Sequence, residues 1–144
     1  MPRVAATREL LAPREDVWRF LAEPFHLADW WPGVHGVQPD RRGLAPGARW
    51  QLTSGPQAGG LVNAFTRGPE AAGTLVVVEV RTEEFLRLLF VDERIEAELR
   101  LEPGSDSHTR ATLVVDGPWL RVSRSLPRRA LNRLHALCQT AAEF

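Results

Sequence analysis

"LLAPREDVWRFLAEPFHLADWWPGV", residues 10 to 34, is the stretch whose reading decides the fold. A strand ends at Leu10-Leu11, and Pro13 with Glu15 and Asp16 suits the positive start of a helix. Val17, Phe20 and Leu21 make an apolar stripe at helical spacing. Pro24 opens a second short helix that ends at Trp30 and Trp31, where Pro32-Gly33 cuts it off. Each helix is about two turns long. A buried indole usually needs a partner for its N–H. A tryptophan pair beside a chain break therefore either plugs a core or walls a space that something enters.

Working outward, "RVAATRELL" (3–11) reads as a strand with Val4, Ala6, Arg8 and Leu10 on one face at period two. Downstream, "RWQLTS" (49–54) places Trp50 and Leu52 together. Residues 55–73 are rich in glycine and proline and read as a long loop holding one short strand, "LVNAF". "TLVVVEV" (74–80) and "FLRLLFV" (85–91) are strands. "RIEAELRLE" (94–102) alternates cleanly, with Ile95, Ala97, Leu99 and Leu101 inward. "PGSDS" (103–107) is a turn, after which "TRATLVVDG" (109–117) returns with Ala111, Leu113 and Val115 inward. Strands joined by short turns imply an antiparallel sheet with one solvated face. Beyond Pro127, with Ser123 or Ser125 as cap, Ala130, Leu131, Leu134, Leu137, Cys138 and Ala141 form the apolar stripe of a terminal helix. The order is strand, two short helices, about six strands, then one long helix.

At 144 residues the chain reads as a single domain spanning 1–144. The 18 basic residues balance 18 acidic ones, so no global charge draws it toward nucleic acid or an anionic surface. Every basic residue is arginine, and there is no lysine or tyrosine; this runs through the whole chain and reads as compositional bias. The lone Cys138 excludes an internal disulfide and fits a reduced, cytoplasmic setting. No window approaches the ~20 apolar residues of a membrane span, and "MPRVAATREL" lacks the apolar run of a signal peptide.

One antiparallel sheet with a single long helix has little helical cover for a curved face. The space left between them is the kind of concave, apolar place that ligands favour, with the tryptophans at its mouth or wall. The sequence also resembles a known family at these residues. The run from Leu10 to Val34, with Ala12-Pro13, Glu15-Asp16, Val17-Trp18, Pro24 and the tryptophan pair before Pro32-Gly33, is similar to the opening of the START-like (SRPBCC) superfamily, in particular its polyketide cyclase/dehydrase-like branch. "GSDSHTRATLVV" resembles the hairpin into that family's last strand. The resemblance implies an α+β helix-grip fold, a curved antiparallel sheet wrapped around a C-terminal helix with a hydrophobic cavity between them. The 55–73 segment departs from the pattern.

Signs of chemistry are sparse. His26, Asp29 and His35 lie close in sequence, yet no fourth ligand stands at a recognisable spacing, so neither a metal nor a cofactor is expected. Ser123 and Ser125 carry no nucleophile motif, and Cys138 reads as a small core residue. The expected ligand-contacting set is Trp30, Trp31 and Trp50 at one end with Val78, Leu88, Phe90, Leu99, Leu113 and Leu134 as walls. Arg8 sits in phase with the inward face, where an unpaired charge is costly. It either snorkels to water at the sheet margin or offers its guanidinium to a ligand carboxylate or carbonyl. The expected function is binding of a small hydrophobic molecule. The alternatives are a cyclase- or dehydratase-type enzyme, which needs titratable groups in the cavity, and a module resembling chaperone activators, for which outward Leu89, Val91 and Val114 would supply a patch or a homodimer contact. Nucleic acid is not an expected partner, since no aromatics are interleaved with the arginines.

Overall fold

Strict alternation in Ile95–Pro103 commits one face of that strand to the interior, and the pairing shows what it is buried against. The computed structural model describes residues 3–53, 73–118, 122 and 124–142, the last four by backbone alone. Its strands are β1 (Arg3–Leu10), β2 (Gly36–Gln38), β3 (Arg49–Thr53), β4 (Gly73–Arg81), β5 (Phe85–Phe90), β6 (Ile95–Pro103) and β7 (Thr109–Asp116). They form one antiparallel sheet in the order β1-β7-β6-β5-β4-β3-β2. β6 and β7 are the expected hairpin, with Leu99 opposite Leu113 and Pro103 opposite Thr109. The short strand expected at "LVNAF" lies outside the described residues.

The helices follow the proline punctuation. α1 (Arg14–Leu21) begins one residue after Pro13, whose carbonyl oxygen accepts the N–H groups of Asp16 and Val17. Pro24 starts a single 3₁₀ turn, Pro24–His26, which runs into α2 (Leu27–Trp30). Trp31 is already extended, and Gly33, at φ 92°, takes a conformation that side chains with a Cβ resist. The chain thus turns directly into β2. α3 (Leu126–Ala142) lies over β1 and β7 and touches α2. The architecture is therefore α+β: a curved seven-stranded sheet gripping a C-terminal helix, with short helices near the N-terminus.

The core collects the inward side chains of every strand together with Leu131, Leu134 and Cys138 of α3. Each fully buried leucine or phenylalanine contributes roughly 1.5–3 kcal/mol. The outer face carries the charge-rich run. Arg87 reaches Glu98 at 3.0 Å, Glu96 at 3.3 Å and Glu79 at 3.9 Å. The guanidinium groups of Arg81, Arg87 and Arg100 lie 5.3–5.5 Å from the Phe85 ring centroid. Phe85 points outward but is buried beneath this cover of arginines.

β4 carries an irregularity that sequence alternation cannot show. Its register against β5 shifts between Val77 and Glu79. Leu75 and Val77 face the core, and after one extra residue the phase resumes with Val80 opposite the inward Leu86. Val78, expected on the inner wall, is 41% exposed instead.

Candidate functional site

The tryptophans close the concave side of the sheet. Trp31 stacks on Phe90 at 4.7 Å and 25°, and Trp30 meets Trp31 edge-on at 5.6 Å and 83°. Trp50 reaches the same layer from β3, its indole Nε1–H donating to the Gly43 carbonyl oxygen at 2.9 Å. All three are only 2% exposed. Leu88, Phe90, Leu99, Leu113 and Leu134 are equally buried, at 2% or less. These side chains leave almost no accessible area and belong to the buried core.

Arg8 takes the marginal position. β1 is the edge strand, so the inward phase there ends at the rim: Val4 and Ala6 are half-buried and Arg8 is exposed. Its Nη1 donates to Asn132 Oδ1 on α3 beside a depression of about 150 Å³. The guanidinium does not enter the core. Together with partial burial of the ring, its charge holds the pKa of His135 below the ordinary histidine value, burial being the larger cause.

Among the described residues, a larger open space lies at another corner. A cavity of about 460 Å³ is bounded by Leu11, Ala12 and Pro13 after β1, by Asp16, Arg19 and Phe20 of α1, by His26, and by Leu137 and Cys138 of α3. Asp16 and Phe20 project from one side of α1 at near-turn spacing. The Leu11–Pro13 wall is pinned from below. Thr109, fully buried, donates its hydroxyl to the Ala12 carbonyl oxygen at 2.7 Å. One residue before β1 ends, Glu9 Oε1 accepts from Ser105 Oγ at 2.6 Å and lies 3.3 Å from His108 Nδ1. These contacts, the Ser105 hydroxyl first, hold the Glu9 pKa below the usual carboxylate value. Serine, histidine and glutamate meet here without forming a nucleophile. The serine proton is donated to the carboxylate rather than to the imidazole, so the trio ties the hairpin turn to β1.

The polar groups of the cavity have distinct environments. Arg19 and Asp16 approach to 3.6 Å with 81% and 52% of their side chains exposed, a pair worth little in stability. His26 stacks on Phe20 at 4.1 Å and 11°, with Nδ1 2.7 Å from the Phe20 carbonyl oxygen. Asp29 and His35 are exposed, and among the described residues no three potential ligands come together to hold a metal ion. Burial, reinforced by the charge of Asp16, pushes the Cys138 thiol up to about 11, so it is a neutral wall atom at ordinary pH. Sequence reading placed Phe20, Leu137 and Cys138 on apolar stripes and His26 on a helix. The signal that would have joined them is the convergence of both chain ends at β1 and α3, which no local periodicity reports.

A curved antiparallel sheet gripping a terminal helix defines the class of helix-grip proteins. Within that class, residues 1–137 match the family model described as polyketide cyclase / dehydrase and lipid transport, and the chain belongs to this family. No curated protein matches the sequence. Solved structures that it resembles include a Nitrosomonas europaea protein, 20% identical, with 99% of this chain and 97% of that one covered at a TM-score of 0.68. The XoxI protein of Bacillus cereus is 11% identical, with 99% of both chains covered at a TM-score of 0.71. A Chromobacterium violaceum protein is 18% identical, covering 96% of this chain and 99% of that one at a TM-score of 0.62. At these identities the likeness is one of fold.

Proposed function

We propose that the protein binds a small, largely apolar molecule in the cavity between α1, the 3₁₀ turn and the C-terminal part of α3. The observation that carries this reading is the cavity: at about 460 Å³ it falls within the roughly 300–1,000 Å³ of ligand sites, with carbon walls and few polar groups. The family's description, which names lipid transport beside cyclase and dehydrase chemistry, supports the same class of ligand. In this reading Trp30, Trp31, Trp50, Leu88, Phe90, Leu99, Leu113 and Leu134 back the site as a rigid core, and neither Arg8 nor Val78 contacts the ligand. Among the described residues no helix is long and apolar enough to cross a membrane, and the lone cysteine suits a reducing compartment such as the cytoplasm. The interaction-module reading loses support because the pairing sets Glu96 beside Leu89 and Glu98 beside Val114, which breaks the outward apolar patch.

Native mass spectrometry of the purified protein, followed by thermal unfolding with a panel of lipophiles, tests the proposal. A ligand at about 100 times its dissociation constant adds roughly 2.7 kcal/mol of stability. Cys138→Phe, which fills the cavity from α3, should remove that gain. Undiminished binding in Cys138→Phe would move the site elsewhere, and no co-purified molecule together with no shift would end the reading. One observation favours an enzymatic second reading of cyclase or dehydratase type: two titratable groups, Asp16 and His26, stand on the cavity wall. Its signature is a bound compound whose mass changes by one water on incubation.

A further inference from the structure

We propose that His26 sets the polar selectivity of this cavity: its Nε2 is a fixed hydrogen-bond acceptor, and the ligand is an apolar molecule carrying a hydroxyl or phenol rather than a carboxylate. The inference rests on the reading of the cavity as a binding site and adds the class of molecule it takes.

The argument starts from one hydrogen bond. The Phe20 carbonyl oxygen can only accept, so the His26 Nδ1 that contacts it at 2.7 Å must carry the proton. In a neutral imidazole the other nitrogen, Nε2, is then a lone-pair acceptor. The ring is held twice, by that bond and by the parallel stack on Phe20 at 4.1 Å. Its tautomer and orientation are therefore set before any ligand arrives, which lowers the entropy cost of using it. Nε2 makes no hydrogen bond to a described residue, and His26 is one of the residues that line the cavity.

The remaining polar groups point the same way. Asp16 is a second acceptor on the same wall. Arg19 is the cavity's strong donor among the described residues, but it lies 81% exposed and turned toward Asp16 at 3.6 Å. The Cys138 thiol stays protonated and donates only weakly. A carboxylate entering here would meet the Asp16 carboxylate and an imidazole lone pair, and among the described lining residues its cationic partner, Arg19, lies mostly out in solvent. A hydroxyl group would find two acceptors. Arg8, which the sequence offered either as a margin residue or as a donor to a ligand carboxylate or carbonyl, is not among the residues that line this cavity.

The test uses 4-heptylphenol, its methyl ether and 4-heptylbenzoate, titrated calorimetrically into the wild-type protein and His26→Phe. Phenylalanine keeps an aromatic ring against Phe20 and removes the acceptor. A neutral hydrogen bond of about 0.5–1.5 kcal/mol corresponds to roughly 2- to 13-fold in affinity. Wild type should prefer the phenol to the ether by about that factor and bind the benzoate most weakly, and His26→Phe should bind phenol and ether alike. A second readout does not depend on the variant: the ¹⁵N resonance of His26 Nε2 in wild type should move with the phenol and stay still with the ether. Preference for the phenol that survives in His26→Phe, a silent Nε2 resonance, or tightest binding of the benzoate would overturn the assignment while leaving the cavity as a binding site. Failure of all three compounds and of the lipophile panel would overturn both.

Discussion

Two places in this fold gather aromatic rings beside a helix, and they end differently. Under the sheet, Trp31 meets both Trp30 and Phe90 ring on ring, and these three and Trp50 are 2% exposed. At the α1–α3 corner, Phe20 and His26 stack just as closely at 4.1 Å, beside open space of about 460 Å³. The difference lies in what stands opposite. Beneath the sheet, β3, β5 and α2 approach from separate directions and each supplies a large ring, so the gaps close. At the corner, α1 has 8 residues and α3 has 17. At 1.5 Å per residue, α1 spans roughly half the length of α3, and the space is bounded by Asp16, Arg19 and Phe20 on one side and by Leu137 and Cys138 on the other. Aromatic content thus marks neither a site nor a core; the lengths of the elements facing it decide.

The largest expected effect breaks this comparison most directly. Trp31→Ala opens a void under the sheet and should cost about 3–5 kcal/mol in urea unfolding. Phe20→Ala, half-buried at the corner, should cost about 1–2 kcal/mol and weaken ligand binding. Equal costs, or lost binding in Trp31→Ala alone, would place the open space under the sheet.

A second effect concerns the corner by itself. With its pKa raised from 9.0 to about 11, Cys138 should react with iodoacetamide at pH 8 about 100-fold more slowly than a free thiol. The sign for stability follows from the same shift. The unfolded thiol loses its proton near 9 and the folded one near 11, so stability is untouched below pH 9 and falls as pH rises from 9 to 11. A cavity ligand should slow alkylation further. Free-thiol reactivity would show that the wall is not closed around Cys138.

The smallest effect is expected at the sheet margin. Arg8→Met should change stability by no more than about 0.5 kcal/mol, as exposed substitutions do, and should leave affinity for the phenol and the benzoate unchanged. A selective loss of benzoate binding would restore Arg8 as a ligand contact.

Much of this fold is legible in the chain because its burial is periodic. β6 and β7 alternate without interruption, the α3 stripe repeats at helical spacing, and Trp-Pro-Gly ends α2 where the side chains say it must. Val78 could not be placed, because a single inserted residue reverses the phase of everything after it. Arg8 was assigned to the correct face, yet periodicity does not tell how far along that face the rim lies. β2, with 3 residues, is too short to show any period. The cavity was illegible for a deeper reason. Its walls come from four separate segments, and each of those residues already had an adequate local explanation in its own helix or turn.

The pairing of β1 with β7 has a consequence in time. Arg3 lies opposite Asp116, 113 residues further along the chain. At synthesis rates of about 5–20 residues per second, the first strand waits roughly 6–23 s for β7, its one neighbour among the described strands. Non-local pairing of this kind is slow to form even in a complete chain. The cavity inherits the delay, because its walls join residues 11–26 to Leu137 and Cys138. A fragment that lacks residues 11–26, or Leu137 and Cys138, lacks one side of these walls. If the cavity binds its ligand as proposed, occupancy therefore reports that the first strand has found its neighbour.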